Sequence, residues 1–478
     1  MDLGAPVASR SRPWIRAGLA AAIGASLCAI GALLPRLPAQ PVVLGTLAVA
    51  LGVAIALHPP LAAYLLVGVT PLVAGIDRGR LIPVLRPAEA LELLAGGALL
   101  SRTLILARDG GRSRWRMGPL DAAILALAVA SSILPIAWML VRGVAVVQDD
   151  VLYGLIIWKY YGLFLIVRAS IRTDREIRNL LVISVGTGLV VAVVGIAQSL
   201  QLLGVPSLLS SLYSPYGNTD ALTNSRGGST LALPIAAADL LLLNLGIVLA
   251  AWPRLSRGWG WLAAAIAALF TTGIVASGEI SAIVGLVVVL VALVWVSRRS
   301  GLLLRLLPGV LLAVFLLGPV IQRRLEGFQS SSGLPLSWEG RLFNLTNYFW
   351  PVLFSHGNFL LGVRPAARVA TSSMATGFVW IESGYTWLLW AGGIPLVLAF
   401  LVFAGKALRL CATVARSSAG TASIAATSAF ASLVMIVLLM LIDPHLTYRG
   451  SADLLFALLA VCSTPIALRS TLKEELRG

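Results

Sequence analysis

Apolar runs of roughly 20 residues, the length a helix needs to cross a bilayer, recur along nearly the whole chain and are separated by short polar, often arginine-rich connectors. The runs fall at 14–35, 41–57, 60–76, 86–107, 119–141, 151–168, 179–203, 229–251, 260–276, 279–297, 302–321, 384–405, 423–442 and 451–468. The pattern predicts an all-α polytopic membrane helix bundle with about 12–14 transmembrane helices. The lower figures apply if the segments flanking His58-Pro59-Pro60, or those flanking Ser277, do not cross separately.

Composition narrows the class. Of 478 residues 58% are hydrophobic and 12% charged, and the mean hydropathy is +0.93, against about 25% charged in soluble chains. The first run, 14–35, follows Arg10, Arg12 and Arg16 and is too long for a signal-peptide core, so a retained anchor is expected. The net charge of +16 comes from clusters such as RDGGRSRWR, RASIRTDREIR, RRSGLLLR and KALRLCATVAR, which alternate with apolar runs so that all lie on one side. The positive-inside rule places both termini in the cytoplasm. The clusters form no basic, aromatic-laced groove, which argues against a nucleic-acid partner. Cys28, Cys411 and Cys462 lack metal-ligand spacing and read as structural thiols, and three scattered histidines make no metal site.

This topology divides the chain into N-terminal membrane helices (1–178), central helices with a first outer loop at 204–228 (179–321), a large outer loop (322–383), and C-terminal helices with a cytoplasmic tail (384–478). The outer loops are where chemistry is expected. In the larger one Leu342, Leu345, Phe349 and Val352 recur at helical spacing beside Tyr348 and Trp350, the pattern of an interfacial helix. Within the membrane, Lys159 and Asp239 lie at similar depth and suggest an ion pair, with a proton relay or partners such as Glu89, Glu92 and Arg102 as alternatives. His58 and His445 border turns and read as solvated interface residues, whereas His356 is the histidine inside the large loop.

The outer arginines form a set: Arg226, Arg323, Arg324, Arg341, Arg364 and Arg368. A guanidinium offers a planar fork of donors that suits phosphate oxygens. Gly227, Gly228 and Ser229 after Arg226 are expected to add a helix N-terminus, so a pyrophosphate site competes with simple lipid-headgroup contacts.

Three stretches carry a family likeness: SRGGSTLALPIAAADLLL, GRLFNLTNYFWPVLFSHGNFLLGV and WIESGYTWLLWAGGIPLVLAF. In order and membrane side they resemble the O-antigen ligase and O-antigen polymerase superfamily of bacterial inner-membrane glycosyltransferases, over roughly residues 179–405. The resemblance implies a GT-C-like bundle in the bacterial cytoplasmic membrane. It also implies metal-independent, cofactor-free transfer of a glycan from undecaprenyl pyrophosphate to a glycan acceptor, among membrane lipids and with a chain-length regulator as an optional partner. On this reading Arg226 and Arg341 grip the pyrophosphate, Glu382 or His356 serves as base, and Arg364, Arg368, Ser383, Tyr385 and Trp380 contact substrate. Ligases of the family carry a histidine where this chain has Glu382, and the turn after His356 ends Gly-Val-Arg instead of the Gly-rich form. These departures favour a polymerase. The alternatives are a ligase or protein O-oligosaccharyltransferase with the same donor and, from another class, a transporter or lipid flippase.

Overall fold

The computed structural model describes residues 39–82, 84–108, 117–213, 226–298, 336–372, 377–417 and 420–468, with scattered positions between 301 and 322. The expected span 14–35, most of 302–321, and Cys28, Arg323 and Arg324 lie outside the described residues. The protein is a polytopic membrane helix bundle. Nine helices among the described residues are long and apolar enough to cross a membrane, and the expected spans 41–57, 60–76 and 451–468 correspond to shorter apolar helices.

The N-terminal part comprises α1 (Ala39–Leu57), α2 (Pro60–Val73), α3 (Pro87–Arg108), α4 (Pro119–Ser131), α5 (Ile133–Val141), α6 (Gln148–Gly154), α7 (Ile156–Ser170) and α8 (Asp174–Ser199). Next come α9 (Val205–Leu212), α10 (Pro234–Ala251), α11 (Arg257–Ala276) and α12 (Ile280–Ser297). The large loop holds α13 (Leu336–Asn344), a π turn (Leu345–Phe349), α14 (Trp350–Phe354), α15 (Asn358–Leu361) and a hairpin of β1 (Arg368–Ala370) and β2 (Phe378–Trp380). In the hairpin Val369 faces Val379 in antiparallel register. The chain closes with α16 (Gly384–Ser417), α17 (Thr421–Leu439) and α18 (Ser451–Cys462).

Helix α10 is buried on every side from Pro234 to Leu249. A helix this apolar, with Asp239 and Asn244 as its polar side chains, belongs at the centre of a bundle, and α8, α11, α12, α17 and α18 surround it. Small residues set the closest approach: a Cβ at Gly246 would stand 2.8 Å from the Ser428 hydroxyl of α17. Ser428 Oγ donates to the Leu243 carbonyl at 2.7 Å, so the α10–α17 seam combines close packing with an interhelical hydrogen bond.

Lys159 and Asp239 do not pair with each other. Lys159 Nζ lies 2.6 Å from Asp453 Oδ1 on α18, and Asp239 Oδ2 lies 2.8 Å from His445 Nδ1. Sequence depth fixes height in the bilayer but not which helices are neighbours, and α7 packs on α18. The start of α10 also differs from the predicted span: Ser229–Leu231 is a separate 3-10 turn and the helix begins at Pro234.

The WAGGIP stretch breaks α16. Gly393 takes φ 64° and ψ −157°, a conformation open essentially only to glycine, and Pro395 lacks a donor for the ladder. The freed Trp390 carbonyl instead accepts from the Val363 amide at 2.7 Å. A Cβ at Gly393 would lie 2.5 Å from the Leu360 carbonyl oxygen. The α15 segment of the large loop therefore docks into the break.

The interfacial segment is helical as predicted, but its phase differs. Leu345, Phe349 and Leu353 face inward, whereas Leu342 and Val352 are 49% and 40% exposed. The π turn adds a residue to one turn and so rotates the residues C-terminal to it. Phe349 packs edge-on against Trp390 at 5.2 Å between ring centroids.

Candidate functional site

Two helix ends meet and create the site. The α16 amides of Gly384 and Tyr385 both donate to the Met440 carbonyl, at 2.8 and 3.2 Å, where α17 ends. Each helix thereby satisfies groups its own ladder leaves orphaned. The approach is tight, since a Cβ at Gly384 would lie 2.4 Å from Met440 Sδ. Ser383 caps the start of α16, its Oγ accepting from the Thr386 amide at 3.4 Å. The result sets Glu382, just before α16, near Asp443, just after α17.

Arg341 on α13 lies between these carboxylates. Its Nη2 is 2.7 Å from Asp443 Oδ2, and its Nε is 3.9 Å from Glu382 Oε1. Side-chain exposure falls from 37% at Glu382 through 15% at Arg341 to 4% at Asp443, so the guanidinium is held from behind by a buried acid and faces an accessible one. Asn344 Nδ2 donates to Glu382 Oε2 at 3.4 Å, and Tyr448 donates its hydroxyl to Asp443 Oδ1 at 3.0 Å.

Burial raises the Glu382 carboxyl above the usual carboxylate range, with Arg341 and Asn344 pulling the other way and the Glu279 carboxylate adding to the rise. Asp443 is pushed up to about 6 by burial, against the lowering pull of Arg341 and His445. His445 is held above its ordinary value: burial opposes its charge, but Asp239 and then Asp443 favour it. Behind the arginine there is thus a buried histidine–carboxylate pair. His445 is fully buried, not the solvated turn residue the sequence suggested, because its Asp239 partner lies inside the bundle.

Arg226 joins the same electrostatic group through Glu279, at 3.3 Å from Nη1 to Oε1. Glu279 in turn acts on Glu382. The loop carrying Arg226 threads between α8 and α11: Gly227 donates to the Ala276 carbonyl at 2.9 Å, and a Cβ on Gly227 would meet the Gly195 carbonyl oxygen at 2.7 Å.

The expected helix N-terminus at Gly227-Gly228-Ser229 does not serve an anion. The Ser229 amide donates to Gln198 Oε1 at 2.7 Å, and the Gly227 and Gly228 amides go to Ala276 and Arg226 carbonyls. The long helix that follows opens with Pro234 at its first position, which has no N–H to offer.

Among the described residues, Arg364, Arg368 and Tyr385 have structural partners. Arg364 holds buried Asp150 in a fork, Nε–Oδ1 2.9 Å and Nη2–Oδ2 2.6 Å. Arg368 pairs with Asp149 and lies over the Phe378 ring at 4.1 Å. These contacts pin the loop to the start of α6. Tyr385 donates its hydroxyl to the Val437 carbonyl at 2.9 Å. Trp380 is half-buried on β2. His356 is exposed in a left-handed turn with φ 49°.

The structure therefore brings Arg341 to Glu382, with Ser383 the next residue, pairs Arg226 with Glu279, and anchors Arg364 and Arg368 on α6. Sequence reasoning missed Glu279, Asn344, Asp443 and the Asp239–His445 pair. Asp443-Pro444-His445 between two apolar helices was the signal available for the last two. The protein-family models contain no match to this chain, and no curated protein matches it.

Proposed function

We propose that this protein is a glycosyltransferase of the outer membrane face that joins glycan units carried on a polyprenyl pyrophosphate, acting as a polymerase. One observation carries the reading: Arg341 is anchored by buried Asp443 and turned toward the more accessible Glu382. The resemblance to the O-antigen ligase and polymerase superfamily supports it.

In the proposed reaction the donor pyrophosphate takes the accessible side of Arg341 and engages Arg226. The contact to Glu382 is long, at 3.9 Å, so it is the weaker of the two ion pairs Arg341 makes and the one phosphate oxygens can replace. Glu382, released, accepts the proton of the acceptor hydroxyl as that oxygen bonds to the anomeric carbon. The anomeric C–O bond breaks and polyprenyl pyrophosphate leaves with the electron pair. A carboxyl raised by burial is better matched to general-base work near neutrality than an ordinary one. Guanidinium groups already in place stabilise the charge that builds on the leaving group.

The test is reconstitution of the purified protein with lipid-linked repeat units, scored for a ladder of products. A polymerase yields multiples of the repeat, whereas a ligase consumes long lipid-linked chains only when a core acceptor is added. No joined product with any acceptor would overturn the reading.

The buried Lys159–Asp453 and Asp239–His445 pairs favour a second reading, because ionisable residues inside a membrane bundle often mark proton or ion pathways. A transporter would move labelled lipid-linked glycan across liposomes in response to a proton gradient without joining sugars.

A further inference from the structure

Four helices run from the Arg341 cluster to the opposite end of the bundle: α10, α12, α16 and α17. At about 1.5 Å per residue, even the 18-residue α12 separates its ends by about 27 Å. There the four ends enclose a half-open cavity of about 460 Å³. Arg254, Arg298 and Arg416 line it together with Ser423, Thr427 and Val296, and among the described residues its lining contains no carboxylate.

The lining is ordered by the fold. Arg254 Nη2 donates to Ser423 Oγ at 2.8 Å, and the Arg416 guanidinium lies 4.8 Å from the Trp295 ring centroid. Ser423 belongs to the first turn of α17, whose positive end adds to the field of the three guanidinium groups. Such a lining suits a phosphate group.

The surroundings indicate where that phosphate comes from. Trp295 on α12, and Trp259 and Trp261 at the start of α11, are all strongly exposed at this end. Exposed tryptophans gather at headgroup level, where one face is apolar and the other wet. We propose that the cavity holds the phosphate of an anionic phospholipid headgroup from the leaflet at this end. The arginines form the polar rim, while the half-buried Ala250, Pro253 and Ala415 of the lining receive the first part of an acyl chain. This site is independent of the reading given for the Arg341 cluster.

The experiment uses the full chain in nanodiscs of phosphatidylethanolamine doped with phosphatidylglycerol, released into native mass spectrometry. Retained phosphatidylglycerol should exceed phosphatidylethanolamine, and replacing Arg254, Arg298 or Arg416 by Gln should lower retention about fivefold per arginine. All three residues are exposed, so these variants should melt as wild type does. Arg178→Gln is the control, an exposed arginine at the same end on α8, whose Asp174 holds Thr421 of α17. Equal loss in the control and the cavity variants, or equal retention of both lipids, would overturn the proposal. A separate arm titrates inorganic phosphate into detergent-purified protein. Saturable, arginine-dependent phosphate binding without any preference for phosphatidylglycerol would assign the cavity to a soluble phosphate compound and sink the lipid source.

Discussion

Arg341 owes its position to two acids of unequal burial, and that inequality is what makes it available to a ligand. Asp443 cannot easily leave it, because an uncompensated buried charge costs several kcal/mol, on the order of 3–5 when one partner is removed. Glu382 can. Under the proposed chemistry Arg341→Ala should lower product formation by about 10²–10³-fold, as losing a transition-state donor does. Glu382→Gln should lower it by about 10²-fold. Arg341→Lys keeps the charge without the fork and should recover folding but little activity, read as melting temperature against turnover. Wild-type ladders from both Arg341→Ala and Glu382→Gln would remove the basis of the assignment.

The same residues predict a pH effect on stability. Asp443 is raised to about 6 in the fold by burial, with Arg341, His445, Glu382 and Tyr448 as the groups that face it. Between the ordinary carboxylate range and that value the folded chain binds the proton more tightly than the unfolded chain. The stabilisation from this carboxyl is therefore complete at the acid end of the window and is lost as pH rises through about 6. Comparing melting temperatures of wild type and Asp443→Asn across that window should show the wild type losing ground as pH increases. A constant difference would contradict the buried, raised carboxyl.

At the scale of elements, the break in α16 decides how the large loop reaches the membrane. Gly393→Ala forces a Cβ into a backbone conformation reserved for glycine and against the Leu360 carbonyl. It should cost at least about 1–3 kcal/mol, visible as a lowered melting temperature and as faster proteolysis within 336–372. Gly405, farther along α16 with open space around its Cβ position, should accept Ala without loss. The helical segment led by Arg341 was legible from its apolar spacing, yet its inward face was misread by part of a turn. The π turn ends at Phe349, which packs against Trp390, a contact between segments distant in sequence.

For the whole molecule, the charges inside the bundle were visible in the sequence but their partners were not. Lys159→Met should destabilise the fold by roughly 3–5 kcal/mol, because it leaves Asp453 buried and unpaired. Reversing both charges, Lys159→Asp with Asp453→Lys, should restore part of that stability. Recovery stays incomplete since Asp453 also accepts from the Gly450 amide at 2.7 Å. Pairing the Lys159 reversal with one at Asp239 should restore nothing, a distinction that thermal unfolding in detergent resolves.

The chain's hydropathy by itself determined that it crosses a membrane many times and roughly where the nine long helices among the described residues lie, because burying about 20 apolar residues in lipid is a local requirement that no distant contact overrides. It also placed Arg226, Arg341 and Glu382 in the connections on one side. Tertiary structure alone decided that Asp443 stands behind Arg341, that His445 faces Asp239, and that Arg364 and Arg368 are spent on Asp150 and Asp149. A charge in low dielectric takes whichever opposite charge packing brings within reach, and that neighbour is chosen by which helices touch.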